Sequence, residues 1–264
     1  MKLSVKQTKR ILSFSLLILA LTIAVSTSAR DYYQLKVYNI KDLDQETRVD
    51  HYLKNAYIPA MHRAGFKTIG VFKPMAEDTA SYGKKIFVLI PLKDLSDIEK
   101  IEDKLAADNE YQIAGVTYID APYSNPPYER IESIILKAFA EHPEMQVYEY
   151  KTPKSEQIFE LRSYQGATEK IWRKKVEMFN EGGEVGIFKN VGSNAIFYGE
   201  VISGSDMPNL MYMTSYENME SNKAHWDAFR NHPDWKKLSG MEEYKNTVSH
   251  IDKWMCHPTD YSDL

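Results

Sequence analysis

Hydrophobic and polar positions alternate with a period of two at Tyr32–Ile40. Tyr33, Leu35 and Val37 fall on one side and Gln34, Lys36 and Tyr38 on the other, which predicts a half-buried strand. From Thr47 to Arg63 the spacing becomes helical, with Val49, Tyr52, Leu53, Ala56, Tyr57 and Ala60 on one stripe. Pro59 lies inside that stripe and predicts a kink or break in its last turn. Lys67–Pro74 and Ile86–Leu92 read as strands. A helix carrying Leu95, Ile98, Ile101 and Leu105 follows, and Arg130–Phe139 reads as a closing strand. The order β-α-β-β-α-β predicts a ferredoxin-like unit, with both helices on one face of an antiparallel sheet.

The same series then returns. Ile158–Tyr164 alternates like Tyr32–Tyr38, with Phe159, Leu161 and Ser163 opposite Glu160, Arg162 and Tyr164. Thr168–Asn180 predicts a helix stopped at Gly182-Gly183, as a helix C-terminus favours. Val185–Lys189 and Ala195–Ile202 predict strands, the second bulged or extended relative to the first half. Leu210–Tyr216 predicts a buried strand, Met219–Asn231 a capped helix, His232-Pro233 its stop, and Trp235 sits in the following turn. Aligned without gaps against Lys85–Gln112, Phe229 falls on Leu105, His232 on Asp108 and Trp235 on Tyr111. Tyr244–Met255 mirrors Tyr128–Phe139. Matches in order, at a lag of roughly 115–126 residues, predict an internal duplication. The expected fold class is therefore α+β. Two tandem ferredoxin-like units cover residues 30–141 and 158–264, and a Pro/Lys/Glu-rich linker covers 142–157.

Residues 1–29 are of another kind. Lys2, Lys6, Lys9 and Arg10 precede the apolar run Ile11–Val25, and Ser26-Thr27-Ser28-Ala29 supplies small residues. This predicts a cleaved secretory signal peptide and an exported chain, periplasmic or secreted, with membrane association only if the segment is retained. Cleavage would remove four basic residues from a chain whose net charge is already −4. So acidic a surface has no electrostatic drive toward nucleic acid. Cys256 is the only cysteine, so no intrachain disulfide can form.

The strand Phe159-Glu160-Leu161-Arg162-Ser163-Tyr164, the strand-helix Tyr212–Phe229 and the turn Phe229-Arg-Asn-His-Pro-Asp-Trp together resemble the NIPSNAP family. The first half departs from that pattern: Gln34-Leu35-Lys36 stands where Glu-Leu-Arg is expected, and Asn109-Glu110-Tyr111 lacks the proline and tryptophan. The resemblance implies the dimeric α/β-barrel superfamily, whose ferredoxin-like units pack sheet against sheet. Here the two units would form the barrel-like pseudo-dimer within one chain. The superfamily includes cofactor-free monooxygenases, isomerases and haem enzymes, so the resemblance implies a fold more firmly than a reaction.

If the apolar face of each first strand goes under the helices, the opposite face lines the cleft between the sheets. That expectation puts Glu160, Arg162 and Tyr164 into the cleft, with Lys36 and Tyr38 from the first unit and Tyr198 and Glu200 from a neighbouring strand. Such a lining would orient a small polar or anionic organic ligand, with Glu160 or His225 as a candidate base and Arg162 holding an anion. The plainer reading is that Glu160 and Arg162 pair within a polar seam. His225 and His232 are about 10 Å apart along a helix and cannot share an ion, and no metal-binding or phosphate-loop motif occurs, so no metal or cofactor is expected. Trp226, Phe229 and Trp235 read as core. Three functions remain in view: ligand binding, a cofactor-independent oxygenase or isomerase, and a non-enzymatic assembly module, with a homo-oligomer compatible with each.

Overall fold

A computed structural model describes residues 29–264, so the expected leader lies outside the described residues except for Ala29. The first half contains β1 (Tyr32–Asn39), α1 (Leu43–Tyr52), α2 (Ile58–Arg63), β2 (Gly70–Pro74) and β3 (Lys85–Leu92). It continues with α3 (Asp97–Ala107), α4 (Asn109–Ala114), α5 (Val116–Ile119) and β4 (Arg130–Ala138). The second half contains β5 (Ile158–Gln165), α6 (Glu169–Phe179), α7 (Glu184–Asn190), β6 (Asn194–Ser203) and β7 (Asn209–Tyr216). Its last elements are α8 (Met219–Asn231), α9 (Pro233–Ser239) and β8 (His250–Pro258). No helix among the described residues is long and apolar enough to cross a membrane.

All eight strands pair antiparallel into one closed barrel in the order β1-β3-β2-β8-β5-β7-β6-β4. Each half runs in the same relative order, and the halves join where β2 meets β8 and where β4 meets β6. Three apolar clusters follow from this closure. Tyr33, Leu35, Phe87, Leu136, Phe159, Leu161 and Met213 belong to the interior, which draws on all eight strands. A second cluster packs the first half's helices onto the outer sheet face, and a third does the same for the second half.

The closure inverts one expectation. Phe159 and Leu161 turn into the barrel, while Glu160, Arg162 and Tyr164 turn outward beneath the helices of their own half. The reason is that helices cover the outside of the closed barrel at β5, so that both faces of this strand are largely buried and the inner face takes the more apolar set. Among the described residues, the middle of the barrel is packed with apolar side chains from all eight strands.

Local differences have local causes. The helix through Pro59 is not broken. It passes through a π-helical turn, Leu53–Tyr57, which accommodates the hydrogen bond that Pro59 cannot donate. Its start is fixed by Asp42, whose carboxylate accepts from the Gln45 N–H while the Gln45 side chain accepts from Lys41 N–H. Val185–Lys189 is helix α7 rather than a strand. Gly183 enters it at φ 86°, and a short apolar run fits either state by periodicity alone. The second strand starts at Gly70 rather than Lys67, Leu95 precedes its helix, and the last strand begins at His250 rather than Tyr244. The bulge expected in the second half is present, as a register shift of β6 against β7 between Ala195 and Phe197. Asp108 and His232, aligned with one another in the sequence, both cap short helices, which carry Tyr111 and Trp235 respectively.

Candidate functional site between β5 and helix α8

Helix α8 begins at Asn218, whose side chain accepts from the Ser221 N–H. The helix places Asn222, Trp226 and Phe229 at i, i+4 and i+7, a stripe that faces the sheet. Asn222 and Trp226 both reach Glu160 of β5. The Asn222 amide donates to Oε2 at 2.7 Å and the Trp226 indole N–H at 2.6 Å. The other oxygen takes Arg162, with Nε at 2.7 Å. Glu160 is 1% exposed, so its desolvation is offset by three hydrogen bonds and by the Arg162 charge, whose Nη2 also lies 2.5 Å from Oε1. A carboxylate so occupied has no oxygen turned to a substrate.

Arg162 is fixed on three sides. Glu160 holds one edge, the Tyr164 hydroxyl accepts from Nη1 at 3.1 Å, and the guanidinium carbon lies 4.1 Å from the Trp226 ring centroid. Of five N–H donors, Nε and one at Nη1 make hydrogen bonds and one at Nη2 is taken up by the ion-pair contact with Glu160, which leaves two. Arg162 and Tyr164 form part of the wall of a cavity of about 240 Å³, completed by Lys175, Glu184, Trp226 and Trp235 among others. Lys175 donates to Glu184 at 2.7 Å and lies 4.6 Å from the Phe179 ring centroid. Burial pushes the Glu184 carboxyl up, against the opposing pull of Lys175. Behind Tyr164, the Tyr212 hydroxyl meets its own at 3.0 Å, and burial holds the Tyr212 phenol well above its usual range. The result is a small pocket with aromatic walls, one pre-oriented guanidinium and one buried ammonium-carboxylate pair.

The structure thus brings together Glu160, Arg162 and Tyr164 and leaves the other candidates apart. Lys36 and Tyr38 occupy the corresponding positions in the first half, beneath its helices, with the Lys36 ammonium 5.2 Å from the Tyr57 ring centroid. Tyr198 packs on Tyr212 and Phe179, and its buried hydroxyl has no partner among the described residues. It faces a different cavity of about 420 Å³, bordered by His142 and the exposed Glu141, Glu144 and Lys189. Glu200 pairs with Arg30 at 3.3 Å. His225 lies on α8 against the Tyr216 ring, 5.5 Å between centroids, with Nδ1 buried and unpartnered among the described residues. Among the described residues no group of three or more His, Cys, Asp or Glu is placed to hold a metal ion.

Asn222, Trp226, Lys175 and Glu184 were not legible as site residues. Trp226 fits the core stripe, and its role emerges only when α8 is known to cross β5. Lys175 and Glu184 are nine residues apart around Gly182-Gly183, and a turn between two helices, rather than any motif, makes them meet.

Residues 159–263 match the NIPSNAP family profile. No curated protein matches the chain in sequence. In fold, the chain is similar to a monooxygenase-like protein from Lactobacillus acidophilus NCFM, at 12% identity and a TM-score of 0.57, covering 89% of this chain and 95% of that one. It is similar to a second from Fusobacterium nucleatum, at 8% identity and a TM-score of 0.56, covering 88% and 93%. An anthrone oxidase-like protein matches at 8% identity and a TM-score of 0.51, covering 89% and 93%. At these identities the likeness is one of fold: an eight-stranded antiparallel α/β barrel.

Proposed function

We propose that this chain is an exported NIPSNAP-type protein, built of two ferredoxin-like units, that binds a small organic acid between β5 and helices α6, α7 and α8. The observation that carries the reading is the Arg162 guanidinium. It is held from behind by Glu160, stacked on Trp226, and still has two N–H groups to offer beside a cavity of about 240 Å³. A carboxylate takes those two donors, and an aromatic or compact apolar body lies against Trp226 and Trp235. Glu160 is a positioning residue in this account, not a base.

The test is calorimetric titration of the protein with benzoate, and with benzyl alcohol as the uncharged analogue. Saturable benzoate binding that Arg162→Lys weakens about 10–100-fold supports the reading, the range expected for a hydrogen bond to a charged group. Equal binding of benzyl alcohol, or of benzoate to the variant, overturns it. A cofactor-independent oxygenase or isomerase is the second reading, favoured by the buried, unpartnered Nδ1 of His225, one residue from Trp226. Assembly through strand edges has less support, because closure of the barrel gives every strand two neighbours.

A further inference from the structure

One mouth of the barrel is polar. Along most of the interior the inward positions are apolar, but at this end Lys85 of β3, Glu132 of β4, Ser163 of β5, Asn209 of β7 and Asp252 of β8 also border a cavity of about 380 Å³. Its deeper wall is aromatic: Phe87 and Trp254 lie 5.3 Å apart between centroids. The carboxylates outnumber the cations. Glu132, Asp252 and the loop residue Asp206 face it, against Lys85 alone.

Two of those carboxylates, Glu132 and Asp252, are oriented by neutral groups or by histidine. Glu132 accepts from the Asn39 amide at 2.9 Å and the Ser205 hydroxyl at 3.0 Å. Asp252 accepts from Gln165 at 2.9 Å and lies 3.1 Å from His250 Nε2. Lys85 spends its ammonium on the Asn39 amide oxygen at 2.9 Å and forms no ion pair among the described residues. Asn209 adds an independent observation. It is 2% exposed, its Nδ2 donates to Ser163 at 3.1 Å, and its Oδ1 is buried with no partner among the described residues. An orphaned buried acceptor on a cavity wall costs stability unless something donates to it.

We infer that this mouth is a binding site for a small organic cation, a primary ammonium carrying an apolar body. The ammonium supplies donors to Asn209 Oδ1 and charge to Glu132 and Asp252, while the body packs on Phe87 and Trp254, whose ring faces favour a cation. The site is on the inner side of β5, whereas Arg162 is on the outer side, so the two pockets are separate in space and opposite in charge preference.

Benzylamine, benzyl alcohol and benzoate distinguish them in one set of titrations at neutral pH and low ionic strength. The expected result is saturable benzylamine binding that Asp252→Asn weakens about 10-fold, that added salt weakens, and that Glu181→Gln, an exposed acid elsewhere, leaves unchanged. Asp252 is only half-buried, and a thermal melt of the Asp252→Asn protein verifies that it folds; Glu132→Gln repeats the measurement on the opposite wall. No saturable benzylamine binding, equal binding of benzyl alcohol, or full affinity in both acid-to-amide variants overturns the inference.

Discussion

Removing the Glu160 carboxylate is the perturbation that most directly examines how the second half is held together. In Glu160→Ala the Arg162 guanidinium keeps its charge but loses its counter-ion, and the Asn222 amide and Trp226 indole lose their acceptor. Breaking a buried ion pair from one side costs about 3–5 kcal/mol. The Arg162 side chain is 17% exposed, so water recovers part of the loss and the low end, about 3 kcal/mol, is expected. For a chain of this size about 1 kcal/mol moves Tm by roughly 2–4 °C, so the melt falls by roughly 6–12 °C. Circular dichroism melts and urea titrations of Glu160→Ala, Arg162→Ala and the double variant form a cycle. The double variant is expected to lose less than the sum of the singles, because it strands no charge. A single-variant loss under about 1 kcal/mol, or strict additivity, would refute the claim that this network organises the layer.

Two other outcomes follow from the first half and from the interior. Lys36 forms no ion pair among the described residues, and burial lowers its pKa while Glu102 opposes the shift. The cost of protonating it in the fold is present at neutral pH and disappears as pH rises through the unfolded value near about 10.4. Lys36→Met therefore raises Tm at pH 7, and its advantage over the natural protein shrinks toward pH ~10; an advantage independent of pH contradicts the assignment. Leu161 is wholly buried among barrel side chains, so Leu161→Ala costs about 2–5 kcal/mol by urea unfolding. A loss under about 1 kcal/mol would show that the interior is loosely packed there.

Much of the architecture could be read from periodicity. The strand Leu210–Tyr216 and the helix Met219–Asn231 were legible because a run of apolar residues gives way to a capped, amphipathic stretch. The pairing of Asp108 with His232 and of Tyr111 with Trp235 also survived, since both sets occupy equivalent short helices. What periodicity does not carry is direction. Alternation at Phe159–Tyr164 separates two faces but does not say which points inward, and in a barrel covered by helices both are buried. Glu160 consequently belongs to a polar layer under α8 rather than to a cleft, and only its partners, distant in sequence, reveal this. Val185–Lys189 failed for a related reason: with so few residues, the left-handed glycine at 183 decides the geometry more than the apolar pattern does.

The two joins of the barrel, β2 with β8 and β4 with β6, lie within one polypeptide. The segment 142–157 tethers the halves, so they meet at a fixed effective concentration rather than by collision. Closing the ring requires no second molecule. Every strand pairing around the interior core is therefore supplied by a single chain, and none of them is broken by dilution.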